Sequence, residues 1–421
     1  VKVTILSTFD TFGGASIAAS RLHTALMQHG IDAKMLVQDK KGKEDNVFSI
    51  ANNWFTQKWA LARFAADRYQ FALYEKSKAV RFVFSQAQIG TDISHEPLVY
   101  QSDILHLHWI NFGFLSLLSI QQLARLNKPF VWTLHDMWAF TGGCHYSGVC
   151  HNYQQACGNC TLFLKNPADT DLSRKVWEQK AQLFPQMNLT VVTCSEWLAR
   201  KARTSSLLKN VRVLSIPNPI NTQLFCPIPK HEAKQRLSLL PNKQYILFAA
   251  MKISDARKGF AYFEKAIQQI IEHNPAWKNT VELLVFGQAN AEDFEHLPCG
   301  VRVLGRLTSL QVIAEAYSAA SVFVIPSLEE NLPNTIMEAM ACGTPVVGFD
   351  TGGIPEMIEH RSTGYLANYQ SESDLATGIE WVLNNTQYEE LCKNARKKIE
   401  QEYAQEVIAA RYEALYDSLL K

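Results

Sequence analysis

The sequence predicts an α/β protein of two Rossmann-like, doubly wound parallel-sheet domains facing a cleft. Three observations lead there. The chain has 421 residues, more than one ordinary core accommodates, so two domains of roughly 200 residues each are expected. Hydrophobic residues make up 47% and charged residues 19%, a globular balance that excludes wholesale disorder. Short apolar runs alternate with helical stretches in two successive series, and a proline-rich break separates the series.

The elements follow in order. A strand at residues 3–7 runs into Gly13-Gly14-Ala15, then an amphipathic helix to about Gly30 with Leu22, Ala25, Leu26 and Met27 inward. A second strand at 33–37 completes a β–Gly-loop–α–β unit, the opening of a parallel sheet. Apolar runs at 104–108, 130–133, 189–194 and 211–216 suit buried parallel strands. Pro217, Pro219, Pro227 and Pro229 then mark a hinge. Beyond it, strands at 245–251, 281–287, 301–304, 322–326 and 345–349 alternate with helices, and the tail from about 371 is helical. The expected domains are 1–216 and 217–402, with a helix at about 403–421 returning to the first.

The net charge of +1 conceals a polarity. Residues 1–215 carry 23 Lys and Arg against 15 Asp and Glu, and residues 216–421 carry 18 against 25. Two readings fit: a basic half facing anionic lipid or a phosphate-bearing acceptor, or opposite charges that help two domains face each other. No apolar run reaches the roughly 18 residues of a membrane span. The first residues lack a signal peptide's apolar length and cleavage site, so a cytoplasmic, bacterial protein is expected. No nucleic-acid partner is expected. Residues 53–84 hold nine aromatic side chains and six Lys or Arg against only Asp67 and Glu75. That composition fits peripheral contact with the inner face of a membrane, and equally a helix packed on the first domain with its cations snorkelling outward.

The stretch 326–345 carries the most chemistry. A strand ends at Pro326, a loop bears Glu330, and Pro333 opens a helix containing Glu338. Amides around Asn331, Leu332, Pro333 and Asn334 form a helix N-terminus suited to an anionic or hydroxyl-rich ligand. Glu338, in the second turn, is placed to accept hydrogen bonds from a diol; on spacing alone it reads equally as a solvated surface carboxylate.

Glu330 and Glu338 form an E-x7-E motif, flanked by Pro326-Ser327, by 338–347, by Gly352-Gly353-Ile354-Pro355-Glu356 and by Thr363-Gly364-Tyr365-Leu366. In these segments the chain resembles the retaining glycosyltransferases of family 4 (glycosyltransferase group 1), and a weaker likeness reaches the Gly13-Gly14 loop and the hinge. The resemblance implies a GT-B fold, with an acceptor-side N-terminal domain and a nucleotide-sugar-binding C-terminal domain. It implies that Glu338 holds the donor ribose and that Glu330 and the amides after it contact the donor sugar. Many members have glycine after the first Glu; Asn331 stands there and bears on donor-sugar preference. The family's early Arg is also missing, with Met251 or Lys252 near its place and Arg257 the expected substitute.

Arg257 and Lys258, before Gly259 and a helix, suit a diphosphate that gains charge as the glycosidic bond breaks. Gly13-Gly14 lets backbone approach a ligand closely, or serves only a tight turn. His108 and His135 stand at strand ends, where ligands of open parallel sheets bind. The resemblance favours His135, since members carry a His-Asp beside the reacting sugar; Asp136 is expected to orient its loop. No catalytic metal is expected, because no Asp-x-Asp follows a strand and Arg257 and Lys258 can neutralise phosphate. A covalent nucleophile stays open, with Glu330 the nominal candidate.

Cys144, Cys150, Cys157 and Cys160 lie within seventeen residues in the pattern C-x5-C-x6-C-x2-C. They suit a structural tetrahedral zinc, with His145 and His151 as alternative ligands; disulfide pairing and free thiols are the other readings. The function expected is sugar transfer, with retention, from a nucleotide-sugar to a glycan or lipid-linked acceptor by a hexosyltransferase-type enzyme. A non-catalytic nucleotide-sugar-binding partner of an active transferase is the alternative.

Overall fold

The computed structural model describes every residue except Ser254, and the side chains of Met251, Lys252 and Ala291 also lie outside the description. The reading of Met251 or Lys252 near the place of the missing arginine therefore falls outside the described residues. The chain forms two compact units, Val1–Pro219 with Ile408–Lys421, and Ile220–Val407.

The first unit is built on seven strands: β1 (Lys2–Phe9), β2 (Asp32–Asp39), β3 (Val47–Ser49), β4 (Ile104–Leu107), β5 (Pro129–Leu134), β6 (Asn188–Thr193) and β7 (Arg212–Ser215). Their order is β3-β2-β1-β4-β5-β6-β7, with every neighbouring pair parallel. Successive residues of a strand point to opposite faces, and both faces here are apolar. Val3, Ile5, Met35, Val37, Ile104 and Val131 face α1 (Gly14–Gln28) and the Gln405–Leu420 helix, through Leu22, Leu26, Ile408, Tyr412 and Tyr416. Leu6, Leu36, Leu105, Leu107, Trp132 and Val191 face the other way, into a core completed by Leu123, Val176 and Leu198 from three further helices. Such two-sided burial explains why these strands read as continuous apolar runs.

The second unit repeats the plan with β8 (Gln244–Lys252), β9 (Val281–Gln288), β10 (Gly300–Gly305), β11 (Val322–Ile325), β12 (Val346–Phe349) and β13 (Gly364–Ala367). The order is β10-β9-β8-β11-β12-β13, again parallel throughout. In both sheets the strand order reverses beside the first strand, at β1/β4 and at β8/β11. Loops leaving adjacent strands there diverge to opposite faces and open a crevice at the carboxyl ends.

The α2 helix (Trp54–Ala72) begins at Asn53, whose side chain accepts from the Thr56 amide while Thr56 answers with its hydroxyl, a reciprocal cap. Only Ala60, Asp67, Arg68 and Phe71 of this helix are buried, so most of its aromatic residues face outward. Among the described residues no helix is long and apolar enough to cross a membrane.

Candidate active site

In the second unit the crevice at β8/β11 holds the E-x7-E residues. The loop after β8 tightens into a 3-10 turn at Ala256–Lys258 and ends on Gly259 at φ +68°. A Cβ there would lie 1.8 Å from the Pro326 carbonyl oxygen, so the β8 loop reaches the β11 loop only because residue 259 has no side chain. The Leu328 amide donates to the Arg257 carbonyl at 2.7 Å and fastens the same contact. The Lys258 ammonium then pairs with Glu330 Oε1, which also accepts from Ser327 Oγ at 3.2 Å. The Glu330 carbonyl receives the Gly353 amide at 3.1 Å, across a close approach to Gly352 that a Cβ would block at 1.9 Å.

Pro333 immediately precedes the Asn334–Ala341 helix and supplies no side-chain cap. Glu338, half-buried on that helix, accepts from the hydroxyl of the buried Tyr317 at 3.2 Å. A hydrogen-bonded carboxylate at the crevice is therefore what the structure places there, not a fully solvated surface residue. Asn331 and Leu332 are buried in the intervening loop.

Arg257 is not brought beside Lys258's partner. Successive residues of a 3-10 turn point about 120° apart. Its guanidinium instead lies outward on Asp255, at 2.8 Å. The pairing and its hydrogen bonds hold the Asp255 carboxyl below its usual range against the opposing effect of burial.

In the first unit the histidines gather at the carboxyl ends of β4 and β5, beside the β1/β4 switch point. Gly13, at φ +84°, ends the loop after β1, Gly14 opens α1, and a Cβ at Gly13 would meet open space. His108 leaves β4 and His135 leaves β5; His108 Nδ1 lies 2.9 Å from His135 Nε2, and the rings stack. His106, one side-chain position back on β4, sits between Tyr416 Oη at 2.7 Å and Thr133 Oγ1 at 2.8 Å. Burial lowers all three imidazoles, His106 to about 3, His135 to about 4 and His108 well below its ordinary value; repulsion from His135 adds to the effect on His106, and repulsion from His106 and His135 to that on His108. His108 Nε2 and Asn111 Oδ1 are buried without a hydrogen-bond partner among the described residues, and both residues line one small cavity with His135 and Asp136.

Asp136 receives the Trp138 amide at 2.8 Å, Trp109 Nε1 at 3.0 Å and His145 Nδ1 at 2.7 Å. Burial alone would raise its pKa, but His145 and these donors bring it below the usual carboxylate range. His145 Nε2 continues to Ser85 Oγ at 3.0 Å. This Asp–His–Ser chain has the composition of a hydrolytic triad, yet Ser85 is 1% exposed and also takes Arg68 Nη2 at 3.5 Å. A hydroxyl so enclosed ties the loop together and meets no substrate. The network escaped sequence reading because Ser85 and His145 are sixty residues apart.

Cys144, Cys150, Cys157 and Cys160 line one cavity of about 240 Å³, with Phe84 and Phe163 among its walls. All four are free thiols. Cys157 Sγ turns to accept the Gly142 amide at 3.1 Å. Among the described residues no three His, Cys, Asp or Glu side chains are gathered to hold a metal ion, so the structural zinc expected from the spacing has no support. Burial pushes the Cys157 and Cys160 thiols up to about 11, toward the protonated form.

Residues 12–224 match the family model described as Glycosyltransferase Family 4, and residues 243–385 match Glycosyl transferases group 1. An uncharacterized glycosyltransferase of Haemophilus influenzae is 26% identical over 54% of this chain and 62% of its own length. The putative colanic acid biosynthesis glycosyl transferase WcaC of Escherichia coli is 23% identical over 82% of each chain. A Campylobacter jejuni N,N'-diacetylbacillosaminyl-diphospho-undecaprenol α-1,3-N-acetylgalactosaminyltransferase is 28% identical over 48% of this chain and 53% of its own. Among solved structures, sucrose-phosphate synthase from Thermosynechococcus elongatus matches with a TM-score of 0.66 at 19% identity, over 100% of this chain and 99% of its own. Anabaena HepE in complex with UDP-glucose matches with a TM-score of 0.62 at 16% identity, over 99% and 100%. Both likenesses concern the fold.

Proposed function

We infer the reaction from one premise: the chain belongs to glycosyltransferase family 4, and it is a nucleotide-sugar-dependent glycosyltransferase of GT-B fold. The finer reading is that it moves a hexose, with retention, onto a glycan or lipid-linked acceptor. The observation that carries the donor half is the Lys258–Glu330 pair at the β8/β11 crevice. Lys258 turns from Glu330 to the donor diphosphate and offsets the charge that grows on it as the glycosidic bond breaks. Glu338 receives the ribose hydroxyls, with Tyr317 Oη fixing the orientation of its carboxylate. Glu330 is engaged by Lys258 and Ser327, which suits a positioning role beside the sugar better than attack on its anomeric carbon. The UDP-glucose complex of HepE supports a uridine-diphosphate sugar as the first donor to try. The Campylobacter relative, whose name contains a diphospho-undecaprenol sugar, supports a lipid-linked acceptor.

Purified protein with a panel of nucleotide-sugars tests this, since a donor that binds only the folded state raises the melting temperature. Lys258→Ala should lower turnover about 10²-fold or more, the scale of one lost electrostatic contact to the transition state. Turnover within a few-fold of wild type would remove Lys258 from the reaction. Glu338→Gln should weaken donor binding by about 1–3 kcal/mol while leaving the fold intact. Unchanged donor affinity in that variant would return Glu338 to a purely structural role.

A further inference from the structure

We propose that the outward face of α2 is a docking surface for an anionic lipid membrane. The inference deepens the acceptor side of the reading above, and its structural basis is α2 and the segment after it. Trp54 is 72% exposed, Phe55 62%, Trp59 55%, Leu61 59% and Tyr69 71%. Together with exposed Ala62, Ala65 and Ala66, at about 100° per residue, they fill an arc of roughly 160° around the helix. The opposite side, through Ala60, Asp67, Arg68 and Phe71, holds the helix to its unit. A helix packed as core would turn its large apolar residues inward; this one turns them out. Leu73, Tyr74 and Phe82, in the segment that follows, are exposed as well.

Charge selects the occupant. The two acids of the segment are both buried and internally paired, Asp67 with Arg68 at 3.0 Å and Glu75 with Arg81. The exposed charges of the segment are Lys58, Lys76 and Lys78, all positive. A two-fold contact with a second copy would bring these lysines against their own kind, whereas anionic headgroups would neutralise them. Tryptophan and tyrosine, with apolar rings and one polar edge, suit the depth of the headgroups. An enzyme so docked meets a lipid-linked acceptor in the plane where that acceptor lies.

The full chain is mixed with vesicles of phosphatidylcholine alone and with phosphatidylglycerol added, and bound protein is read by flotation and by tryptophan emission. Binding is expected to the anionic vesicles only, to weaken as salt rises, and to shift emission to the blue. Replacing Trp54, Phe55 and Trp59 together by serine should lower partitioning about tenfold or more. Each of Lys58→Gln, Lys76→Gln and Lys78→Gln should lower it roughly fivefold. Failure of the wild type to bind anionic vesicles at low salt overturns the proposal, as does undiminished binding by the triple variant. A wild-type dimer that the triple variant makes monomeric would assign the face to a second copy and equally overturn it. Thermal stabilisation by nucleotide-sugar is read on the same samples. Lost vesicle binding with donor stabilisation intact would sink only the docking surface; stabilisation by no nucleotide-sugar would sink the donor reading.

Discussion

His106, His108 and His135 meet at the carboxyl ends of β4 and β5, where burial keeps all three neutral in the fold. An unfolded chain would protonate them near 6.5, whereas folded His135 waits until about 4 and His106 until about 3. The sign follows from which state takes up protons. Below 6.5 the unfolded chain binds protons that the folded chain does not, so stability present above that pH is lost as the pH falls. Between about 7 and 5 ordinary carboxylates remain ionised, and the histidines dominate the decline. Urea unfolding followed across that window should show the midpoint of the first unit dropping, and His135→Gln should flatten the drop. Parallel curves for the two proteins would mean that His135 is protonated in the fold.

The elements show what local pattern reveals and what it hides. The buried central strands were legible because two-sided burial demands continuous apolar residues, as in Ile104–Leu107 and Val322–Ile325. β3, three residues with an exposed Phe48 at its centre, escaped, and so did β13, which has the length of β4 but not its continuous apolar run. β13 falls on Gly364-Tyr365-Leu366, which reads first as motif chemistry. Lys258-Gly259 and Glu330 were legible as residues but not as a pair, since 72 positions separate them in sequence. Spacing carries no direction either: Arg257 and Lys258 are adjacent, and the 3-10 turn lays one on Asp255 and the other on Glu330. The cysteines show the same limit. Their spacing brought them to one cavity, but convergence on a point depends on side-chain aim, and Cys157 aims at a backbone amide. On α2, composition left core packing and surface docking level; the exposure of Trp54, Phe55, Trp59 and Tyr69 shows that this arc is not packed in its own unit, and the docking itself stands as the proposal that the vesicles test.

At the scale of the whole molecule, the chain passes between its two units twice, after Pro219 and after Val407. The second passage occurs inside the Gln405–Leu420 helix, so a segment from the far end of the sequence completes the core of the first unit. Ile408, Tyr412, Leu415 and Tyr416 are buried in one apolar cluster with Val3 and Ile5 of β1, Ile104 of β4 and Val131 of β5. Tyr412 Oη meets Thr133 Oγ1 at 2.9 Å, and Tyr416 Oη meets His106 Nδ1 at 2.7 Å. These hydroxyls satisfy polar groups that no water reaches, and a buried group left unpaired costs about 1–3 kcal/mol. The double variant Tyr412→Phe with Tyr416→Phe keeps the rings and their volume while removing both hydroxyls. It leaves His106 Nδ1 without its partner, while Thr133 Oγ1 keeps His106 Nε2, so it should destabilise the first unit by roughly 1–3 kcal/mol. The second unit shares none of these contacts, so its own core should keep its protection. Native-state hydrogen exchange separates the two outcomes: amides of β1, β4 and β5 should exchange faster in the variant, while those of β8, β11 and β12 should not. Equal acceleration in both sheets would mean that the units unfold as one. Unchanged exchange in β1, β4 and β5 would mean that the tyrosine hydroxyls contribute nothing to the core they enter.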